Sequence, residues 1–364
     1  MSQKYRVIIA AVGVLLGLFM AWYFFDILIF IIVAGLISLV GQPLVDILSR
    51  IRFGKVHMPK WIGAMITLIA LLTVIIGFFL MFVPMITRQA EIIARINVDE
   101  VVTYFAGVID EVQQVLLSYD IINTGQTLQG ILEKQISGLI NATDVSRFFE
   151  RLISATPTVF LGLFTVLFLS FFFLRDRQLL RNGILLFAPD RFQEEVKNVL
   201  HKTKVMLSRY LIGLIVELLT MMILLSIGLS IVGVENSVLI GFIGGLMHVI
   251  PYLGPIIGAV IGAVLSISSD LGLGLYDTAL NTAVWVLVIF ALVTLVDNLV
   301  LQPLIYSRSV SAHPIEIFIV ILMAGSLAGI PGMMLAIPGY TVLRIIAKEF
   351  LSGFKLIDKL TENI

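Results

Sequence analysis

Met247-His-Val-Ile-Pro-Tyr-Leu-Gly-Pro-Ile-Ile-Gly258 interrupts a long apolar run, with Pro251 and Pro255 dividing it into pieces too short to cross a bilayer comfortably. Proline removes a helical hydrogen bond and clashes with the preceding turn. Backbone that leaves the helix at membrane depth is tolerated only where protein or a water-filled cavity surrounds it. Discontinuous intramembrane helices are where secondary transporters bind their cargo. A second break follows at Gly329-Ile-Pro-Gly-Met333.

The rest of the chain places these breaks in a membrane. Apolar residues make up 59% and charged residues 13%, with a mean hydropathy of +1.07. Soluble proteins carry about a quarter charged residues. Several stretches exceed the roughly 20 apolar residues that span about 30 Å of hydrocarbon. The expected fold is therefore all-α: a polytopic helical membrane protein with about six full spans and two re-entrant broken hairpins of opposite orientation. The net charge is zero, so the distribution of charge between loops carries the information. There is no cysteine, hence no disulfide, thiolate nucleophile or Cys-ligated metal. No metal site and no cofactor are expected. Lys4 and Arg6 precede the run Val7 to Phe25, which is longer than a signal-peptide core and lacks a small-residue cleavage site. It reads as a retained span.

Residues 7–25 and 27–48 read as a tight hairpin turning at Asp26. The loop after it holds Arg50, Arg52, Lys55 and Lys60, which places it in the cytoplasm. Trp61 to Ile86 is the third span. Residues 88–153 carry nine acidic residues against five basic, fitting the outside. Val98, Val101, Val102, Phe105, Val108, Ile109 and Val112 follow amphipathic-helix spacing there. A helical cap on the protein or bilayer surface and a substrate-receiving vestibule both fit. Thr156 to Leu174 returns to the inside. Arg175 to Arg209 has eight basic residues to four acidic and one apolar face, the pattern of an interfacial helix. Tyr210 to Val232 crosses out again, toward Glu235.

The loop Ser268 to Asn281 holds Asp270 and Asp277 and no basic residue, so it too reads as exterior. Residues 237–268 must then enter and return, with a tip at Pro251 to Pro255. Thr278 to Pro303 crosses inward to Arg308. The C-terminal Lys348, Lys355 and Lys359 are cytoplasmic, so 315–346 forms a second hairpin entering from the other side, its tip near Gly329 to Gly332. The expected organisation is spans one to three as a scaffold (1–87), an exterior segment (88–153), and a fourth span with an interfacial helix (154–209). A transport core (210–346) and a cytoplasmic tail (347–364) follow. Both termini are expected in the cytoplasm.

Three titratable groups on separate elements converge on the inner half of the membrane. At 1.5 Å per residue His248 lies roughly 16 Å below the outer surface, and Glu217 and Asp297 each about 10 Å from the cytoplasmic side. Ionisable groups inside a bilayer are expensive unless paired and default to functional hypotheses. Glu217 also suits an oligomer contact, Asp297 a helix-end ion pair with Arg308, and His248 an imidazole satisfied by a backbone carbonyl. The sharper reading is a proton- or cation-coupled site, since a buried carboxylate beside a histidine can titrate in the physiological range. Asn298 and Gln302 add neutral hydrogen bonding on the same span. Pro251, Tyr252, Gly254 and Pro255, with Gly329, Pro331 and Gly332, free backbone groups to face a polar ligand or let helices pack closely. Arg308, His313 and Pro314 sit at the cytoplasmic interface, where a helix-initiating corner and a gate are both possible.

Ile250-Pro-Tyr-Leu-Gly-Pro255, Asp297-Asn298, Gln302-Pro303, His313-Pro314, Gly325, Gly329-Ile-Pro-Gly332 and Ala336-Ile-Pro338 together resemble the autoinducer-2 exporter family of bacterial membrane proteins. The resemblance covers nearly the whole chain in layout, and its specific motifs lie in the C-terminal half. One departure is Ser307, where the family often has glycine. The resemblance implies an oligomeric transporter in the bacterial cytoplasmic membrane for a small polar molecule or ion. Members have been linked to export of autoinducer-2 and others to sodium/proton exchange. A neutral polyol needs hydrogen bonds from Asn298, Gln302 and backbone; an exchanger needs a titrating carboxylate such as Asp297 or Glu217.

The residues thus favour a secondary transporter exporting a small polar solute, with a sodium(lithium)/proton antiporter as the alternative. Its partners are lipid, the solute, H+ or Na+, and further copies of the chain, with no nucleic acid. An intramembrane enzyme would draw on His248, His313, Ser266, Ser268 or Ser326. No Gly-x-Ser-x-Gly elbow or His-Glu-x-x-His pair supports it, so no enzymatic activity is expected. A passive membrane assembly protein is the remaining class.

Overall fold

The computed structural model describes residues 12, 16–17, 19–20, 22–53, 56–94, 96, 104, 156–306 and 313–351. The described residues are helical apart from turns and a hairpin of two-residue strands, β1 (Arg52–Phe53) and β2 (Val56–His57). The helices are α1 (Phe25–Arg50), α2 (Lys60–Ala94), α3 (Thr156–Arg175), α4 (Leu179–Leu185) and α5 (Gln193–Ile231). They continue with α6 (Ser237–Met247), α7 (Leu253–Gly272), α8 (Tyr276–Val296), α9 (Gln302–Tyr306) and α10 (Pro314–Phe350). Among the described residues, six helical stretches are long and apolar enough to cross a membrane. Most of the first expected span, the exterior segment 88–153 and the tail lie outside the described residues.

Contacts divide the chain into two compact units. The first comprises Met1–Ile75, Ala155–Leu211 and Ile345–Phe354. Its core joins Val45, Ala64 and Leu174, with Leu68 and Phe171 against them. α1 and α3 run parallel: Phe30 packs on Gly162, and Leu174 on Gly41 further along both helices. Arg177 pairs with Asp46, and Glu349 accepts hydrogen bonds from Asn198 at 3.0 Å and Lys202 at 2.9 Å.

The second unit comprises Ile76–Ser154, Ile212–Arg344 and Lys355–Ile364. Its largest apolar cluster is Leu225, Leu229, Val234, Ile240, Val286 and Phe290. Small residues let the backbones approach, as they do between membrane helices generally. Gly241 and Gly245 of α6 lie against Ser226 and Met222 of α5, and the Phe290 ring fills the space beside Gly244, Gly258 and Gly262.

Both broken segments fold back on themselves. In the first, Ile240 faces Gly262, Gly244 faces Gly258 and Met247 faces Gly254, so α6 and α7 are the antiparallel legs of a hairpin. In the second, α10 leaves helical geometry at Ala328 and Gly329. Gly325 then meets Met333, Gly332 meets Ala324, and Tyr340 hydroxyl donates to Glu316 at 3.2 Å. Those pairs define a second antiparallel hairpin.

Three local expectations are corrected. Asp26 is not at a turn: it lies in the first turn of α1, and Leu28 N–H bonds Phe24 carbonyl at 3.2 Å. A carboxylate there complements the positive end of the helix. The exterior loop expected over 268–281 shrinks to a turn at 273–275, Gly274 taking φ +73°. The expected interfacial helix and the span after it are one continuous helix, α5, about 58 Å long at 1.5 Å per residue.

Candidate functional site

The first hairpin turns through His248–Tyr252, so Leu253, Gly254 and Pro255 belong to the first turn of α7 rather than to the tip. Proline is tolerated in a first helical turn because its missing N–H has no partner there. Tyr252 has φ +65° and ψ −47°, and Leu253 N–H bonds Pro251 carbonyl at 2.8 Å. That is a γ-turn of the rare, strained hand, centred on a residue other than glycine. Tyr252 is 44% exposed and its ring meets Phe318 edge-on at 6.3 Å.

His248 caps α6 and is buried, at 4% exposure. Its Nδ1 lies 2.7 Å from Gly244 carbonyl. A carbonyl only accepts, so Nδ1 carries the proton and Nε2 offers its lone pair. No described group donates to that Nε2.

Asp297 begins a five-residue π-helical turn, Asp297–Leu301, inserted between α8 and α9. Pro303 accounts for the irregularity, since it has no N–H and crowds the carbonyl four residues back. Such turns recur at functional sites. Asp297 is 1% exposed and accepts from Gln302 Nε2 at 2.9 Å; that amide also reaches Asn298 Oδ1 at 3.0 Å. Glu217, 5% exposed on α5, and His248 both lie close enough to the Asp297 carboxyl to interact with it electrostatically. Asp297 Oδ1 has no partner among the described residues.

Four elements therefore bring Glu217, His248, Asp297 and Gln302 together, with Asn298 at the exposed edge. An apolar cluster of Val249, Ile250, Ile321 and Ala336 lies beside them, with Leu214 and Leu218 from the turns flanking Glu217. It joins the first tip to the legs of the second hairpin. The second tip itself is not gathered in: Gly329 and Pro331 are exposed and Gly332 half-buried. His313 caps α10, its Nδ1 accepting from Ile315 N–H at 3.3 Å, and Pro314 is the first helical residue. Arg308 lies outside the described residues.

Sequence reasoning missed a second polar cluster. Asn236 Nδ2 donates to Gln89 Oε1 at 2.9 Å and Ser269 Oγ at 3.2 Å. Gln89 Nε2 reaches Ser269 Oγ at 3.2 Å and Leu265 carbonyl at 3.3 Å. The run Ser266-Ile-Ser-Ser-Asp270 was a signal for it, since four polar residues closing an apolar span all require partners.

The family described as AI-2E family transporter matches residues 11–352. The chain is 29% identical over 222 residues to Putative transport protein YrrI of Bacillus subtilis (strain 168), covering 61% of this chain and 56% of that protein. This match thus spans little more than half of that relative. The chain is 22% identical to Putative transport protein YueF of the same organism, over 95% of this chain and 89% of that one. With Putative transport protein MJ1177 of Methanocaldococcus jannaschii it shares 26% identity over 88% of its own length and 90% of that protein's. A match across both hairpins and the polar cluster between them places this chain in the AI-2E transporter family.

Proposed function

We propose that the second unit is the transport core of a secondary transporter that exports a small polar solute such as autoinducer-2. In this reading Asp297, Glu217 and His248 take up and release a proton during the cycle. The observation that carries it is the buried group of three ionisable side chains, with Asp297 Oδ1 and His248 Nε2 lacking hydrogen-bond partners among the described residues. Burying such groups is costly, so a cluster kept beside two broken helices supports a functional use. Asn298, Gln302 and the γ-turn backbone offer hydrogen bonds to the solute. The hairpins would enter the bilayer from opposite faces, both termini would be cytoplasmic, and copies of the chain would assemble in the bacterial cytoplasmic membrane.

The placing of two buried carboxyls, Glu217 and Asp297, close to one another also favours a second reading, sodium(lithium)/proton antiport. A monovalent cation could exchange with a proton held by this pair with no change of net charge. Transport rather than catalysis is supported by the serines, because Ser266, Ser268 and Ser326 each donate to a carbonyl of their own helix at 2.7–3.0 Å. The test uses proteoliposomes with a trapped pH dye. A proton signal on adding sodium or lithium, lost in Asp297→Asn, selects antiport. Silence in the wild type, with autoinducer-2 efflux that fails in Asp297→Asn, selects solute export. Full activity of Asp297→Asn in both assays at every pH removes the role given to that residue.

A further inference from the structure

We propose that Asp270, with Ser266, Ser269, Gln89 and Asn236, forms a binding site for a monovalent cation at the open end of the first hairpin. The buried polar residues of the second unit's first hairpin and its neighbours form two groups. One surrounds Asp297. The other closes α7, about 25 Å further along the helix at 1.5 Å per residue.

Asp270 is 4% exposed, and its Oδ2 has no hydrogen-bond partner among the described residues. No described basic side chain pairs with it; among the described residues, ion pairs involve Asp46, Glu194 and Glu349. Its position adds to the problem. Asp270 lies in the last turn of α7, where the helix presents the negative end of its dipole. A buried carboxylate oxygen beside backbone carbonyls, without a donor or counter-charge among the described residues, calls for a cation.

The neighbours favour the cation. Ser266 is one turn from Asp270, on the same face of the helix, and both it and Ser269 are almost fully buried. Ser269 Oγ and Gln89 Oε1 are 3.3 Å apart, and Asn236, held at φ +54°, brings a further amide. The hydroxyl, amide and carbonyl oxygens of this cluster are hard, weakly charged donors. One negative charge matches one positive charge, which selects an alkali cation over a divalent one. Unwound backbone and helix C-termini hold such ions in other transporters. The side chains also tie α2 to both ends of the hairpin, so an ion here would stiffen the hairpin base.

Binding is read on purified full-length protein, with no transport assay, so the result is independent of the function proposed above. Thermal unfolding is followed in sodium, lithium, potassium or choline chloride at one ionic strength, and 22Na+ binding by equilibrium dialysis. An alkali cation should raise the unfolding temperature by several degrees over choline. Asp270→Asn should lose that increment and bind about tenfold or more weakly; Ser269→Ala should weaken it less, and Asp297→Asn should keep it. If Asp270→Asn fails to fold, Ser269→Ala and Gln89→Leu carry the same comparison. The proposal is overturned if no alkali cation exceeds choline in the wild type. It also falls if the effect disappears with Asp297→Asn and survives in the Asp270, Ser269 and Gln89 variants.

Discussion

The first hairpin turns through His248–Tyr252 and the second through Ala328–Gly329, and the two share a positive φ at the turn and a close crossing of the legs just after it. Each has a residue at positive φ, Tyr252 at +65° and Gly329 at +61°. Each follows it with a proline and a glycine in the next helical turn. In each, a Cβ on that glycine would collide with a backbone carbonyl of the opposite leg, Met247 for Gly254 and Ala324 for Gly332. They differ in what the tip contains. The first buries a histidine beside two carboxyls; the second exposes its turn, Leu327 being 86% exposed. Similar turns can therefore serve different purposes, because the surrounding elements decide whether a tip meets polar groups or the outside of the unit.

The largest expected effect separates the two tips by function. Asp297→Asn or Glu217→Gln should abolish coupled proton movement in dye-loaded proteoliposomes, whereas Gly329→Ala should retain at least part of it. Equal losses would mean that the second tip belongs to the same site. The shared close approach comes next. Gly254→Ala and Gly332→Ala should each destabilise by about 1–3 kcal/mol through overpacking, seen as lower unfolding temperatures in detergent. One tolerated and one disruptive substitution would break the structural parallel.

Backbone strain should then act with opposite signs. Gly329, at φ +61° and ψ −144°, occupies a region almost confined to glycine, so alanine there costs about 1–3 kcal/mol. Tyr252→Gly relieves a left-handed tyrosine and should gain up to about 1 kcal/mol while impairing transport. A tyrosine kept purely for packing would give the stability gain with transport intact. Amide hydrogen exchange offers a finer comparison, since exposed turns open at low free energy. Residues 327–330 should exchange faster than 248–252. The smallest effect is that of Glu316→Gln, which keeps a partner for the Tyr340 hydroxyl and should change stability by less than about 1 kcal/mol.

Much of this was legible because membrane burial leaves few exceptions unexplained. Pro251, Pro331 and the glycines beside them announced both breaks, and Glu217, His248 and Asp297 stood out as ionisable residues in apolar runs. The extent of each turn was less legible. Proline reads as a breaker, yet Pro255 and Pro331 sit in first helical turns, where a missing N–H has no consequence. Asp270 read as an exterior loop charge because acidic residues close to a span end are usually solvated. Instead α7 continues to Gly272 and carries the carboxylate into the protein.

Sequence by itself determined the class, an all-helical membrane protein with two interrupted segments, because hydrocarbon thickness and backbone hydrogen bonding admit few other solutions. Tertiary structure alone decided which polar groups meet. Gln302 reaches Asp297 only across a π turn, Gln89 reaches Ser269 across 180 residues of chain, and Tyr252 is left strained beside Phe318. Such meetings depend on the rotation and spacing of packed helices. Local propensity does not encode them, because each helix would form equally well in any orientation about its own axis.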